Sequence, residues 1–64
     1  MIAEKIKEHR LSLDMTQEDL ASLICVSRAV ISMWECEVRL PNINYMVRLC
    51  KVFKITPNEF LGMD

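Results

Sequence analysis

Residues 16–35 read TQEDLASLICVSRAVISMWE, and their periodicity predicts two short helices joined by a tight turn. Thr16 is an N-cap candidate, and Asp19 three residues later makes an acidic variant of the capping box. Leu20, Ala21, Leu23 and Ile24 supply an apolar stripe. Cys25-Val26-Ser27 breaks it, and Ser27 is a second N-cap candidate. Val30, Ile31 and Trp34 then give a second stripe at spacings of three and four.

A helix, a three- to four-residue turn and a helix form the helix-turn-helix arrangement, here over about residues 16–36, in which the second helix lies in the DNA major groove. With 3.6 residues per turn, Ile31 and Trp34 point inward. Trp34 is thereby expected in the core rather than stacked on a base. Ala29, Ser32, Met33 and Cys36 point outward, and Arg28 flanks that face at the helix start. A merely solvated helix would carry Lys and Glu there. A face of Ser27, Arg28, Ala29, Ser32 and Met33 suits base edges instead. Arginine pairs with guanine, and small or apolar side chains meet thymine methyls.

More of the chain shares a pattern with a known family. Ile6 and Arg10 in the first helix, Thr16-Gln17-Glu18, Leu20-Ala21, Val26-Ser27-Arg28, Ile31-Ser32, Trp34-Glu35, Pro41 and the run from Leu49 to Phe60 occur in the family's order and spacing. Over Ile2 to about Leu61 the chain resembles the lambda-repressor and Cro (XRE-type) helix-turn-helix domains of phage repressors and bacterial regulators. The resemblance implies an all-α, five-helix domain that binds double-stranded operator DNA, usually as a homodimer formed through its C-terminal part. It also implies an Arg10–Glu35 ion pair linking the first and third helices. Phosphate contacts follow at Thr16 and Gln17, where the second helix starts, and at Arg39 and Asn42, in the loop and at the start of the fourth. Helix starts also offer backbone N–H groups to phosphate. The chain departs from the family pattern in three places. Cys25 stands where the turn usually has Gly, so a left-handed residue there would be strained. Cys36-Glu37 replace a usual Asn-Gly; Cys36 is a poor phosphate contact, and Glu37 is expected near DNA backbone, which it would repel. Met33 replaces a residue that is usually polar or basic.

Sixty-four residues make one domain, 1–64, and a chain this short buries only about 60% of its unfolded surface. Hydrophobic residues are 52% of it, slightly above the usual share of about 45–50%. That surplus fits either a packed bundle or a surface used by a partner. Eight Lys and Arg against nine Asp and Glu give a net charge of −1. That weighs against nucleic acid, yet net charge does not report distribution. Glu18 and Asp19 fall in the first turn of a helix, where the dipole favours them.

No apolar run approaches the ~20 residues of a membrane span, and no signal-peptide pattern opens the chain. Three cysteines, at positions 25, 36 and 50, and a single histidine give no four-ligand zinc set with finger spacing. Reduced thiols in a cytoplasm are the plain expectation. Neither a metal, a cofactor nor a small-molecule ligand is expected. With no Gly-rich phosphate loop and no Ser/His/Asp pattern, an enzyme is not expected either.

The first helix is predicted over about Ile2 to Leu11, with Asp14 left-handed after it. His9, near its end, reads as a surface residue. Glu37 to Pro41 is a loop. Asn42 caps a fourth helix carrying Ile43, Met46, Val47, Leu49, Cys50 and Phe53 at helical spacing, with Lys51 and Lys54 on a solvated face. Thr56-Pro57, an N-cap followed by Pro, opens a short fifth helix. Phe60, Leu61 and Met63 crowd the last five positions, more apolar bulk than a small core needs, and are the candidates for a dimer interface. The expected function is a transcription regulator, a repressor, that binds a near-palindromic operator. On that reading no effector domain is expected, and control would come from site competition, concentration or a partner. The rival is a protein-interaction module of the same fold, an antitoxin or accessory subunit, with weak or no DNA binding, and a third possibility is an isolated DNA-binding domain cut from a longer regulator.

Overall fold

Five helices follow in order, α1 (Ile2–Ser12), α2 (Gln17–Ile24), α3 (Arg28–Glu35), α4 (Ile43–Phe53) and α5 (Pro57–Leu61). They come from a computed structural model that describes residues 2–63. No strand occurs among the described residues, and no helix of theirs is long and apolar enough to cross a membrane. The described residues form five helices, the all-α architecture that the sequence led one to expect.

Side chains start four of the helices. Thr16 accepts from the Asp19 amide while Asp19 accepts from the Thr16 amide, a complete capping box. Ser27 accepts from the Val30 amide and Asn42 from the Tyr45 amide. Thr56 and Glu59 make a second box, followed by Pro57. Each pairing satisfies backbone donors that a helix start leaves without partners. α1 runs one residue beyond Leu11, and the Ser12 hydroxyl donates to the His9 carbonyl.

The helix ends are less comfortable. Asp14, Cys25, Glu37 and Lys54 all have φ between 57° and 63°, in the left-handed region. That conformation crowds Cβ against the next carbonyl oxygen and costs roughly 1–2 kcal/mol for a residue other than glycine. The one glycine, Gly62, ends α5 with φ 71°. The chain therefore holds four turns by the packing around them.

That packing is one core. Ile6 from α1, Leu20, Ala21 and Ile24 from α2, Ile31 and Trp34 from α3, Leu49, Cys50 and Phe53 from α4 and Phe60 from α5 meet in it. His9 stacks on Phe53 with ring centroids 5.2 Å apart, so it is half-buried rather than a free surface group. Phe60 corrects the interface expectation: it is 1% exposed, inside the core of the single chain. Its neighbours differ, since Leu61 is 44% and Met63 71% exposed. A helix of five residues offers one inward position for a bulky ring, and Phe60 takes it beside Phe53, 6.4 Å away.

Candidate nucleic-acid interface

The N-cap at Ser27 aims the start of α3 out of the molecule, while Ile31 and Trp34 anchor its other face. Ser27, Arg28 and Ala29 are exposed; Ser32 and Met33 are half-buried. The five residues expected to read bases thus lie along one helix, most open at its N-terminal end.

Arg28 is not loose. Its Nη1 donates to Gln17 Oε1 at 3.3 Å, and Gln17 Nε2 donates to Glu35 Oε1 at 3.2 Å. Glu35 in turn accepts from Arg10 twice, Nε to Oε2 at 2.7 Å and Nη2 to Oε1 at 3.0 Å. Arg10 Nη1 donates to the Met15 carbonyl at 2.8 Å. An exposed guanidinium at the head of α3 is therefore linked, through the first residue of α2, to a buried bidentate ion pair. Hydrogen bonding to Glu35 raises the Arg10 pKa above its already high ordinary value, against the opposing effect of burial. Gln17, expected at phosphate, is engaged on both its amide atoms within the domain; its second amide hydrogen still has room for an outside acceptor.

The other expected phosphate residues fall at two helix starts. The Thr16 oxygen is taken up by the Asp19 amide, and the return bond from the Thr16 amide holds the Asp19 carboxyl below its usual pKa. Asn42 caps α4 through Oδ1. Arg39 and Asn42 share a groove with Val30 and Met33 of α3 and Tyr45 of α4. The first turn of α4 carries no acidic residue, so its amide end and Arg39 present one electropositive rim beside α3. Arg39→Ala is expected to weaken binding to every duplex and to shrink the salt slope by roughly one unit. Titrations at several salt concentrations measure this, and an unchanged slope removes Arg39 from the phosphate set.

Glu37 takes the turn that follows α3. With φ 62° it reverses the chain after α3, and it lines a groove with Ile2, Ala3 and Lys5 of α1 and with Leu61. It is exposed there and makes no ion pair among the described residues. The cysteines divide by burial. Cys25 and Cys36 are exposed and Cys50 is buried; burial pushes the Cys50 thiol pKa up, which keeps it protonated and unreactive.

One residue of this region has no sequence signal of the kind used above. Arg48, on α4, donates from Nη1 to the Ile24 carbonyl at the end of α2, 3.1 Å away. Its guanidinium lies 5.3 Å over the Tyr45 ring, and Tyr45 tilts against Trp34 with centroids 5.5 Å apart. No local spacing in the sequence marks Arg48. The only hint is that α2 ends without a basic residue of its own.

Comparison with known proteins agrees with this geometry. A helix-turn-helix family model matches residues 6–60. The chain is 38% identical over 59 residues to the HTH-type transcriptional activator BcrR of Enterococcus faecalis, covering 92% of this chain and 29% of that protein. It therefore spans under a third of the length of that relative. Among solved structures, the P22 c2 repressor protein in complex with the synthetic operator 9T superposes with a TM-score of 0.90 at 30% identity, covering all of this chain and 97% of that one. The P22 c2 repressor DNA-binding domain in solution gives a TM-score of 0.89 at 30% identity, covering 95% of this chain and 80% of that one. The chain belongs to the XRE-type helix-turn-helix family of DNA-binding transcription regulators.

Proposed function

We propose that this domain reads a near-palindromic operator as a homodimer and represses by occupying it. The observation that carries the reading is the head of α3: Arg28 is exposed there, steadied by Gln17, on a helix face otherwise free of charge. A fixed guanidinium beside Ser27, Ala29, Ser32 and Met33 is a base reader more than a solvated cation, because pre-ordering removes the entropy lost on docking. The P22 c2 repressor structure, which is a complex with a synthetic operator, supports operator DNA as the partner. Repression needs only that a bound dimer cover a promoter.

Selecting bound sequences from random duplex DNA tests this. A two-fold symmetric motif is the expected result; a failure to enrich any motif overturns it in favour of a protein-interaction module. On the selected site, Arg28→Ala is expected to cost about 1–3 kcal/mol and to relax preference at one base pair in each half-site. Competition binding against single-base variants measures both. Equal weakening on random DNA would make Arg28 a phosphate contact.

A further inference from the structure

We infer that Arg48 is a positioning residue for DNA binding: it fastens the turn between α2 and α3 and so sets α3 against the rest of the domain. The last residue of α2 is Ile24, and its carbonyl sits just before Cys25, held at φ 63° and ψ 46°. The amides of the turn do not serve that carbonyl. Both Cys25 N–H and Val26 N–H return to the Ala21 carbonyl. Arg48 reaches across from α4 to take it at 3.1 Å. The end of a helix carries partial negative charge, and α2 has no basic residue in its last turn; Arg48 supplies that cation from another helix.

The same side chain also holds the far side of the turn. Its guanidinium stacks over Tyr45, which packs on Trp34, the inward anchor of α3. One arginine thus joins the end of α2 to the buried face of α3. Among the described residues the one ion pair is Arg10–Glu35, so no carboxylate draws Arg48 elsewhere. The clamp matters because the turn is strained: a non-glycine left-handed residue favours opening, and a charge-assisted hydrogen bond opposes it. Arg48 touches no base and no phosphate in this assignment. It acts by keeping α3 in the orientation that binds, and apparent affinity falls with the fraction of molecules so oriented.

The assignment rests on the reading of α3 as the DNA-reading helix, and the test separates the two. Arg48→Met keeps the stem over Tyr45 and removes the donor; Arg48→Lys restores a donor. Each is made with Cys25 intact and with Cys25→Gly, which relieves the strain. Without DNA, Arg48→Met is expected to speed amide exchange at Val26 roughly tenfold, the worth of one hydrogen bond to a charged group. Arg48→Lys recovers part of that, and in the Cys25→Gly chain the effect shrinks. With DNA, binding to the selected duplex weakens about threefold or more. Binding to a scrambled duplex of equal length and the salt slope both stay as they were. A slope smaller by roughly one unit makes Arg48 a phosphate contact and overturns the inference. Unchanged Val26 exchange, or an equal loss with and without Cys25→Gly, overturns it as well. Should the unaltered chain select no DNA motif, the operator reading fails, while the exchange measurements still decide whether Arg48 holds the turn.

Discussion

Arg10→Ala and Glu35→Ala are each expected to destabilise the domain by about 3 kcal/mol or more. The two side chains are 9% and 5% exposed, so removing either strands a charge away from water. Losing Glu35 leaves Arg10 with only the Met15 carbonyl. Losing Arg10 leaves Glu35 with only the Gln17 amide, and releases the Met15 carbonyl too. In a domain of this size each kcal/mol moves the melting midpoint by roughly 4–8 °C, so thermal unfolding should shift by ~12 °C or more. The double variant is expected to be no worse than the poorer single one, since its second change removes a charge already stranded. Strictly additive losses would show that the residues do not depend on one another. Glu35→Gln should fall between, because it keeps one acceptor for Arg10 and removes the charge.

The pair matters beyond stability. Glu35 also accepts from Gln17, and Gln17 from Arg28. A chain that survives Glu35→Ala at low temperature should therefore bind its operator less selectively, with Arg28 free to rotate. The link from the ion pair to Arg28, the proposed base reader, is one hydrogen-bonded path of four side chains near helix ends.

The helix starts were legible because they are local. Thr16, Ser27, Asn42 and Thr56 each cap within three residues, and a three-residue pattern is visible in any sequence. The core positions of α2, α3 and α4 were legible for the same reason: Leu20, Ile24, Ile31, Trp34, Leu49 and Phe53 repeat at helical spacing. Where periodicity runs out, the reading failed. α5 is only five residues long, little more than one turn, so its pattern cannot say which of Phe60 and Leu61 turns inward. The left-handed φ of Glu37 falls where the family pattern usually has a glycine, so the turn there was legible although the residue is not one. Arg48 and Ile24 lie 24 residues apart and meet because α4 crosses the end of α2; no local spacing carries that fact. The role of Gln17 is a case between these. Its place at the start of α2 was plain, whereas its bonds to Glu35 and Arg28 needed the packing of α2 on α3.

Leu61→Glu is expected to separate assembly from folding. Leu61 is half-exposed above the buried Phe60, so a carboxylate there meets water in the single chain and leaves the core ring in place. Around it lie large apolar side chains that the domain does not bury. Leu61 borders Ile2 and Leu40 on one side and Ile43 and Val47 on the other, and Leu40 and Ile43 are 65% and 71% exposed. Met63 extends the same end of the chain. A two-fold axis through this face pairs each patch with itself, which apolar side chains satisfy and a glutamate opposite its own copy does not. The domain measures 30 Å along its longest axis. Two copies side by side are thus of the right scale to set their α3 helices about 34 Å apart, one turn of DNA. A dimer gains on its operator because the second half-site binds as an intramolecular step. Leu61→Glu should weaken operator binding by roughly 100-fold or more, with self-association lost in parallel. Its helical circular dichroism should change little. Light scattering and operator titration measure both losses. A native chain that is monomeric at micromolar concentration and binds its operator one to one would show the dimer to be wrong. If Leu61→Glu unfolds the chain, Leu61 belongs with Phe60 in the core, and the contact between copies lies on another face.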